Sequence, residues 1–120
     1  GWYGEGTKRA AMTIPIKKSL SAIAIEEAHG GSGSRQVIFA KTDAVSASFE
    51  AWTKGFLPAG AAYDWHHHDG VDEFFIVLDG TGLIEYKDGT RFGYRDGDTF
   101  YNPAGLAHRI ENTGTTESVF

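Results

Sequence analysis

The sequence predicts an all-β domain, an antiparallel sandwich or barrel with little helix. Three observations carry that expectation. From Arg35 onward apolar residues recur with period two in short segments, glycine-centred reversals separate those segments, and no long stretch places apolar residues at helical spacing. A chain of 120 residues is long enough for one hydrophobic core and too short for two, so any site must be built inside that domain.

Residues 1–12, GWYGEGTKRAAM, are read either as a vector-derived or cropped extension ahead of Met12, or as an outer strand carrying Trp2 and Tyr3. Residues 20–28 hold a short apolar-periodic piece that predicts one or two helical turns, ended by the flexible GGSGS at 30–34. On this reading 1–34 form an N-terminal extension and mobile loop, with His29 a solvated loop residue, and 35–120 form the β domain. The strand segments then follow: RQVIFAK, ASFEAWTKGF, AAYDWHHH, DEFFIVLD, TGLIEYK, TRFGYR, DTFYNP, AHRIEN and ESVF. FLPAG at 56–60, LDGTG at 78–82 and RDGD at 95–98 mark reversals between them. Asp88-Gly89 is the strongest hairpin signal and predicts a type I′ turn, which needs positive φ at both central positions.

DEFFIVLD is apolar on both faces, whereas a strand covering one core alternates. One face fills the interior; the other, with Phe74, Ile76 and Leu78, predicts an association surface in a homodimer or a face covered by an N-terminal strand.

A net charge of −5 with no basic cluster longer than Lys17-Lys18 leaves no footprint for a phosphate backbone, which argues against nucleic acid as a partner. No apolar run is long enough to span a bilayer, and no signal peptide is evident, so a soluble, cytoplasmic protein without membrane partners is expected. With no cysteine, thiolate nucleophiles and cysteine-ligated zinc are excluded, and any metal must be held by His, Asp or Glu.

The stretch DWHHHDG concentrates such residues. In a strand, positions i and i+2 share a face, so His66 and His68 can converge on one metal while His67 points away. Glu73, after the turn, offers a carboxylate from the neighbouring segment, and His108, near the start of another strand, offers a third imidazole. Asp64 shares the alternation of His66 and His68 and is expected either to point inward as an acid, base or partner of the ligands, or to be a strand-edge charge. Asp69 and Asp72 flank the turn as turn formers.

Residues 60–80 read G-x5-H-x-H-x4-E-x6-G, with Gly60, His66, His68, Glu73 and Gly80. Residues 97–112 read G-x5-P-x-G-x2-H-x3-N, with Gly97, Pro103, Gly105, His108 and Asn112. The two patterns resemble both signature motifs of the cupin superfamily at all ten positions. The resemblance implies a small double-stranded β-helix, or jelly-roll barrel, that binds a divalent transition metal through His66, His68, Glu73 and His108. Asn112 is expected to cap a turn, and Gly60, Gly80, Gly97 and Gly105 to serve reversals or close approaches.

Three imidazoles and one carboxylate leave about +1 of net charge around a divalent ion and about two open positions on an octahedral one. That suits an anionic or enolisable oxygen ligand, and the donors do not select among Fe, Mn, Ni, Co, Cu and Zn. Phe75, Phe100, Trp52 and Tyr63 are candidates to line an apolar cavity around the metal. Cupin-like proteins with this ligand set include dioxygenases, decarboxylases, isomerases and lyases. The expectation is a metal-dependent enzyme of oxygenase or lyase type acting on a small organic substrate; the alternative is a non-catalytic module that binds or senses a small molecule. A general acid or base within reach of the metal distinguishes the two.

Overall fold

The computed structural model describes residues 15–43 and 50–120. Both readings of 1–12 lie outside the described residues, as do residues 47–49 of the second strand segment. The described residues form two compact units, one of 15–25, 36–43 and 50–54 and one of 26–35 and 55–120.

The described residues form ten strands: β1 (Glu26–Ala28), β2 (Gly33–Ala40), β3 (Ala51–Leu57), β4 (Ala62–His66), β5 (Glu73–Ile76), β6 (Gly82–Tyr86), β7 (Arg91–Tyr94), β8 (Thr99–Asn102), β9 (His108–Asn112) and β10 (Ser118–Val119). They are ordered β1-β2-β3-β10 in one sheet, β4-β9-β6-β7 in a second and β5-β8 in a third. Pairing is antiparallel between β1 and β2, β3 and β10, β4 and β9, β6 and both β7 and β9, and β5 and β8. The all-β jelly-roll expectation holds, with only short 3-10 turns as helical structure among the described residues.

In the larger unit the core gathers Leu57, Tyr63, Val77, Ile84, Tyr86, Tyr94 and Ile110, with Phe75, Phe100, Leu106 and Phe120 packed against it. Each fully buried aliphatic side chain contributes about 1.5–3 kcal/mol. In the smaller unit the Gln36 amide donates to Leu20 O and Ile23 O, both at 2.9 Å, and Trp52 stacks on Phe39 at 6.1 Å. Trp52, expected among the cavity-lining aromatics, is exposed.

Two local expectations change. Residues 20–28 hold one 3-10 turn, Leu20–Ala22, and then a strand, because Glu26 to Ala28 find ladder partners in Arg35 to Gly33. The segment read as a mobile loop is thereby the end of a β-hairpin. At Asp88-Gly89, Gly89 N donates to Tyr86 O at 3.0 Å and Tyr86 N to Thr90 O at 2.9 Å; among the described residues only His29 and glycines have positive φ. Asp88 therefore sits at negative φ, and Gly89 at φ 93° closes a three-residue loop with a bulge in place of the type I′ turn. The Asp88 carboxylate accepts from Thr90 N at 2.9 Å, which stabilises that form.

Asn112 is fully buried and works as a turn cap: its Nδ2 donates to Leu57 O and Thr116 O, and its Oδ1 accepts from Gly114 N, all at 2.9 Å. It ties the end of β9 to β3. Gly80, at φ 112°, is held against β10, where a Cβ would lie 2.5 Å from Ser118 Oγ.

Candidate metal centre

The register of β4 against β9 shapes the site. Tyr63 faces Ile110 and His66 faces His108, so three steps along β4 match two along β9, and the extra residue is a β-bulge. Both Tyr63 and His66 turn inward, while Asp64 and Trp65 turn outward. The Asp64 side chain is 88% exposed, with Arg109 Nε 3.8 Å away, so the strict alternation that pointed it inward is interrupted by the bulge. Asp64 does not join the cluster.

The bulge also orients His66. Its Nδ1 lies 2.7 Å from Asp64 O, and a carbonyl only accepts, so Nδ1 carries the proton and the Nε2 lone pair is free. Burial pushes the His66 imidazole below its ordinary pKa; the Asp64 carbonyl opposes that shift and His108 reinforces it. His68 follows the end of β4 and is held through its carbonyl, which accepts from Gly105 N at 2.9 Å. His67 turns away, 3.3 Å from Asp69. Asp72 anchors the next loop by accepting from Ala104 N at 2.9 Å and the Tyr101 hydroxyl at 3.1 Å.

Glu73 opens β5 opposite Asn102 of β8, and this register lets Asn102 Nδ2 donate to Glu73 Oε1 at 2.8 Å. The Tyr86 hydroxyl donates to Asn102 Oδ1 at 2.5 Å, which fixes the amide so that its NH2 faces the carboxylate. Sequence reasoning missed this Tyr86–Asn102–Glu73 chain, since its members stand on three strands, β6, β8 and β5, that only the tertiary structure brings together. Burial pushes the Glu73 carboxyl up, but the approach of His108, the Asn102 hydrogen bond and His68 outweigh it and hold the pKa at about 2.

Ligand-capable atoms of His66, His68 and Glu73 all lie within 4.8 Å of one another. Donors sharing one ion at ~2.1 Å are separated by roughly 3–4.2 Å, so small side-chain rotations suffice to bring them onto it. His108, in β9 between His66 of β4 and Tyr86 of β6, is 1% exposed, and its Nε2 lies 3.3 Å from Glu73 Oε1. That approach is too poorly aligned to be a hydrogen bond, and both His108 ring nitrogens are buried without one. Such groups call for a partner. The donor types fit a divalent transition metal, and the orphaned imidazole beside an ionised carboxylate is what a cation would satisfy.

His29, expected as a solvated loop residue, is exposed and also stands beside this site. Its ring stacks on Tyr63 at 4.1 Å between centroids and lies 4.9 Å from the His66 ring. Burial pushes its pKa down, and His66 adds to the shift. Tyr63 itself is committed, its hydroxyl donating to Phe56 O at 3.0 Å and burial raising its pKa to about 12.

The comparisons with known proteins agree with this architecture. A 64-residue stretch is 34% identical to an oxalate-binding protein of Thermotoga maritima, covering 53% of this chain and 52% of that protein. A 50-residue stretch is 47% identical to the uncharacterised protein YdbB of Bacillus subtilis, covering 42% and 44%. The chain thus spans about half the length of the curated relatives it matches. A crystal structure of a predicted oxalate decarboxylase from T. maritima superposes with TM-score 0.78 at 25% identity, over 88% of this chain and 94% of the other. The cupin domain model matches residues 55–120, which include all four candidate ligands and both motifs, and on that match the chain belongs to the cupin family.

Proposed function

We propose that the chain holds a divalent transition metal on His66, His68, Glu73 and His108 and offers it to a small carboxylate, with oxalate as the leading class. The carrying observation is His108, buried with neither ring nitrogen hydrogen-bonded and with Nε2 3.3 Å from Oε1 of an ionised Glu73. The names of two relatives, an oxalate-binding protein and a predicted oxalate decarboxylase, support the ligand class. When bound, the metal supplies positive charge and open coordination positions that polarise a carboxylate. The protein supplies the rest: the Asp64 carbonyl sets the His66 tautomer, Asn102 and Tyr86 orient Glu73, and Phe75 and Phe100, stacked at 5.0 Å, form apolar structure in the same domain.

Binding is the core of this reading, and catalysis of lyase or oxygenase type is its second step. The outward turn of Asp64 removes the side chain first offered as an acid or base, and the nearby Tyr63 hydroxyl is committed to Phe56 O, which favours a binding or sensing module over an enzyme. Elemental analysis of untagged protein, followed by calorimetric titration with oxalate and an assay for formate and carbon dioxide, separates the two. About one metal per chain is expected, lost in His68→Ala and kept in His67→Ala. Equal losses in both variants overturn the ligand assignment, and oxalate binding without turnover selects the module.

The outer face of β5 and β8 carries Phe74, Ile76, Leu78 and Tyr101 at 74, 50, 52 and 51% exposure, with Phe74 5.2 Å from Tyr101. We assign this face to a homodimer contact, since four large apolar side chains stand exposed together and a second copy offers the same patch about a twofold axis. Light scattering of Phe74→Lys is expected to give a monomer where the parent chain gives a dimer; a monomeric parent chain rejects the assignment.

A further inference from the structure

We propose that His29 grips the bound carboxylate: the hairpin between β1 and β2 carries its imidazole to the mouth of the metal centre, where an N–H donates to the ligand's oxygen. The proposal rests on the carboxylate reading above and adds a residue that neither cupin motif contains.

Four observations point the same way. His29 has φ 52°, followed by Gly30 at 68° and Gly31 at 90°, so a non-glycine residue begins a run of three left-handed positions. A histidine there is strained relative to glycine, and strain of this kind persists where the surroundings hold it. The surroundings do hold it, because the ring lies flat on Tyr63, at 4.1 Å and 24°, and Tyr63 is pinned through its hydroxyl to Phe56 O. The hairpin is seated closely: at Gly33 a Cβ would lie 2.6 Å from Phe56 O and 2.7 Å from Tyr63 Cε1, so only glycine lets β2 approach this far.

The ring is also aimed. Its centroid is 4.9 Å from that of His66, and His29 is exposed where His108, 4.4 Å from His66, is buried. Among the described residues neither His29 ring nitrogen has a protein hydrogen-bond partner, while its backbone carbonyl accepts from Ser32 Oγ at 2.9 Å and holds the turn. The stacked face is spent on Tyr63, and the ring edge with its N–H remains for a ligand. An imidazole N–H suits a metal-bound carboxylate oxygen because it adds a directional hydrogen bond to the charge the metal supplies.

The test compares oxalate titrations of the metal-loaded parent chain with those of His29→Phe and His29→Asn, each checked for metal content. Phenylalanine keeps the stack on Tyr63 and removes the N–H, so a purely packing role leaves affinity unchanged. Asparagine tolerates the left-handed backbone but is too short to reach, and it carries the test if His29→Phe does not fold. Full metal content with oxalate affinity reduced about 10-fold or more, the size of one hydrogen bond to a charged acceptor, supports the proposal. A folded, metal-loaded His29→Phe that binds oxalate as the parent does overturns it and leaves the carboxylate reading intact. A metal-loaded parent chain that takes no oxalate overturns both.

Discussion

Replacing His108 by leucine separates a metal ligand from a core residue more sharply than any other change. The imidazole is 1% exposed with both nitrogens unpaired, and an unsatisfied buried polar group costs about 1–3 kcal/mol. The 3.3 Å approach to Glu73 offsets part of that, and leucine is close enough in volume that the packing change is small. Metal-free His108→Leu is therefore expected to be between equal to the parent and ~2 kcal/mol more stable, a rise of up to about 8 °C for a domain of this size. With metal the order reverses. At a free metal concentration 100-fold above Kd the parent gains about 2.7 kcal/mol, and the variant, lacking its buried donor, loses nearly all of that gain. Thermal melts followed by circular dichroism, in chelator and in excess Mn or Zn, read both effects. A variant that melts far below the parent in chelator, or that keeps the parent's metal-induced rise, sinks the claim that His108 is buried for a cation.

Three further outcomes are expected. Because the folded Glu73 pKa, about 2, lies below its ordinary 4.5, Glu73 stabilises the fold above pH ~4.5 and loses that effect as pH falls toward 2; Glu73→Gln should flatten the acid limb of the melting profile between those values. Asn112→Ala removes three buried hydrogen bonds and should lower stability by about 3–5 kcal/mol in a urea titration, with no change in metal stoichiometry. Tyr86→Phe frees the Asn102 amide to rotate and should weaken metal affinity about 10-fold while costing only ~1 kcal/mol of stability, a split that competition with a chromophoric chelator resolves.

Much of the candidate site is legible in the linear chain because its spacing is local. The i, i+2 relation separates His66 and His68 from His67, and the two glycine-punctuated motifs mark Glu73 and His108, which open β5 and β9. The β class is legible for the same reason, since alternation is a property of consecutive residues. For Asp64 that rule left an inward partner and a strand-edge charge both open, and the structure gives the strand-edge charge because of a bulge, a mismatch between two strands that is invisible in either alone. The place of His29 beside the site was missed because glycine-serine composition reads as mobility, whereas pairing of Glu26–Ala28 with Gly33–Arg35 makes the segment a hairpin seated on Tyr63.

The amino-acid order therefore carries the donor types, their spacing and the alternating apolar pattern, all set by chemistry within a few residues. Which side chains surround those donors was settled in three dimensions. The Asn102 amide on Glu73, the Tyr86 hydroxyl behind it and the His29 ring beside His66 join residues far apart in the chain. Strand register makes those encounters, and register is fixed by the packing of the whole domain, because sliding a strand by one residue exchanges its buried and exposed faces.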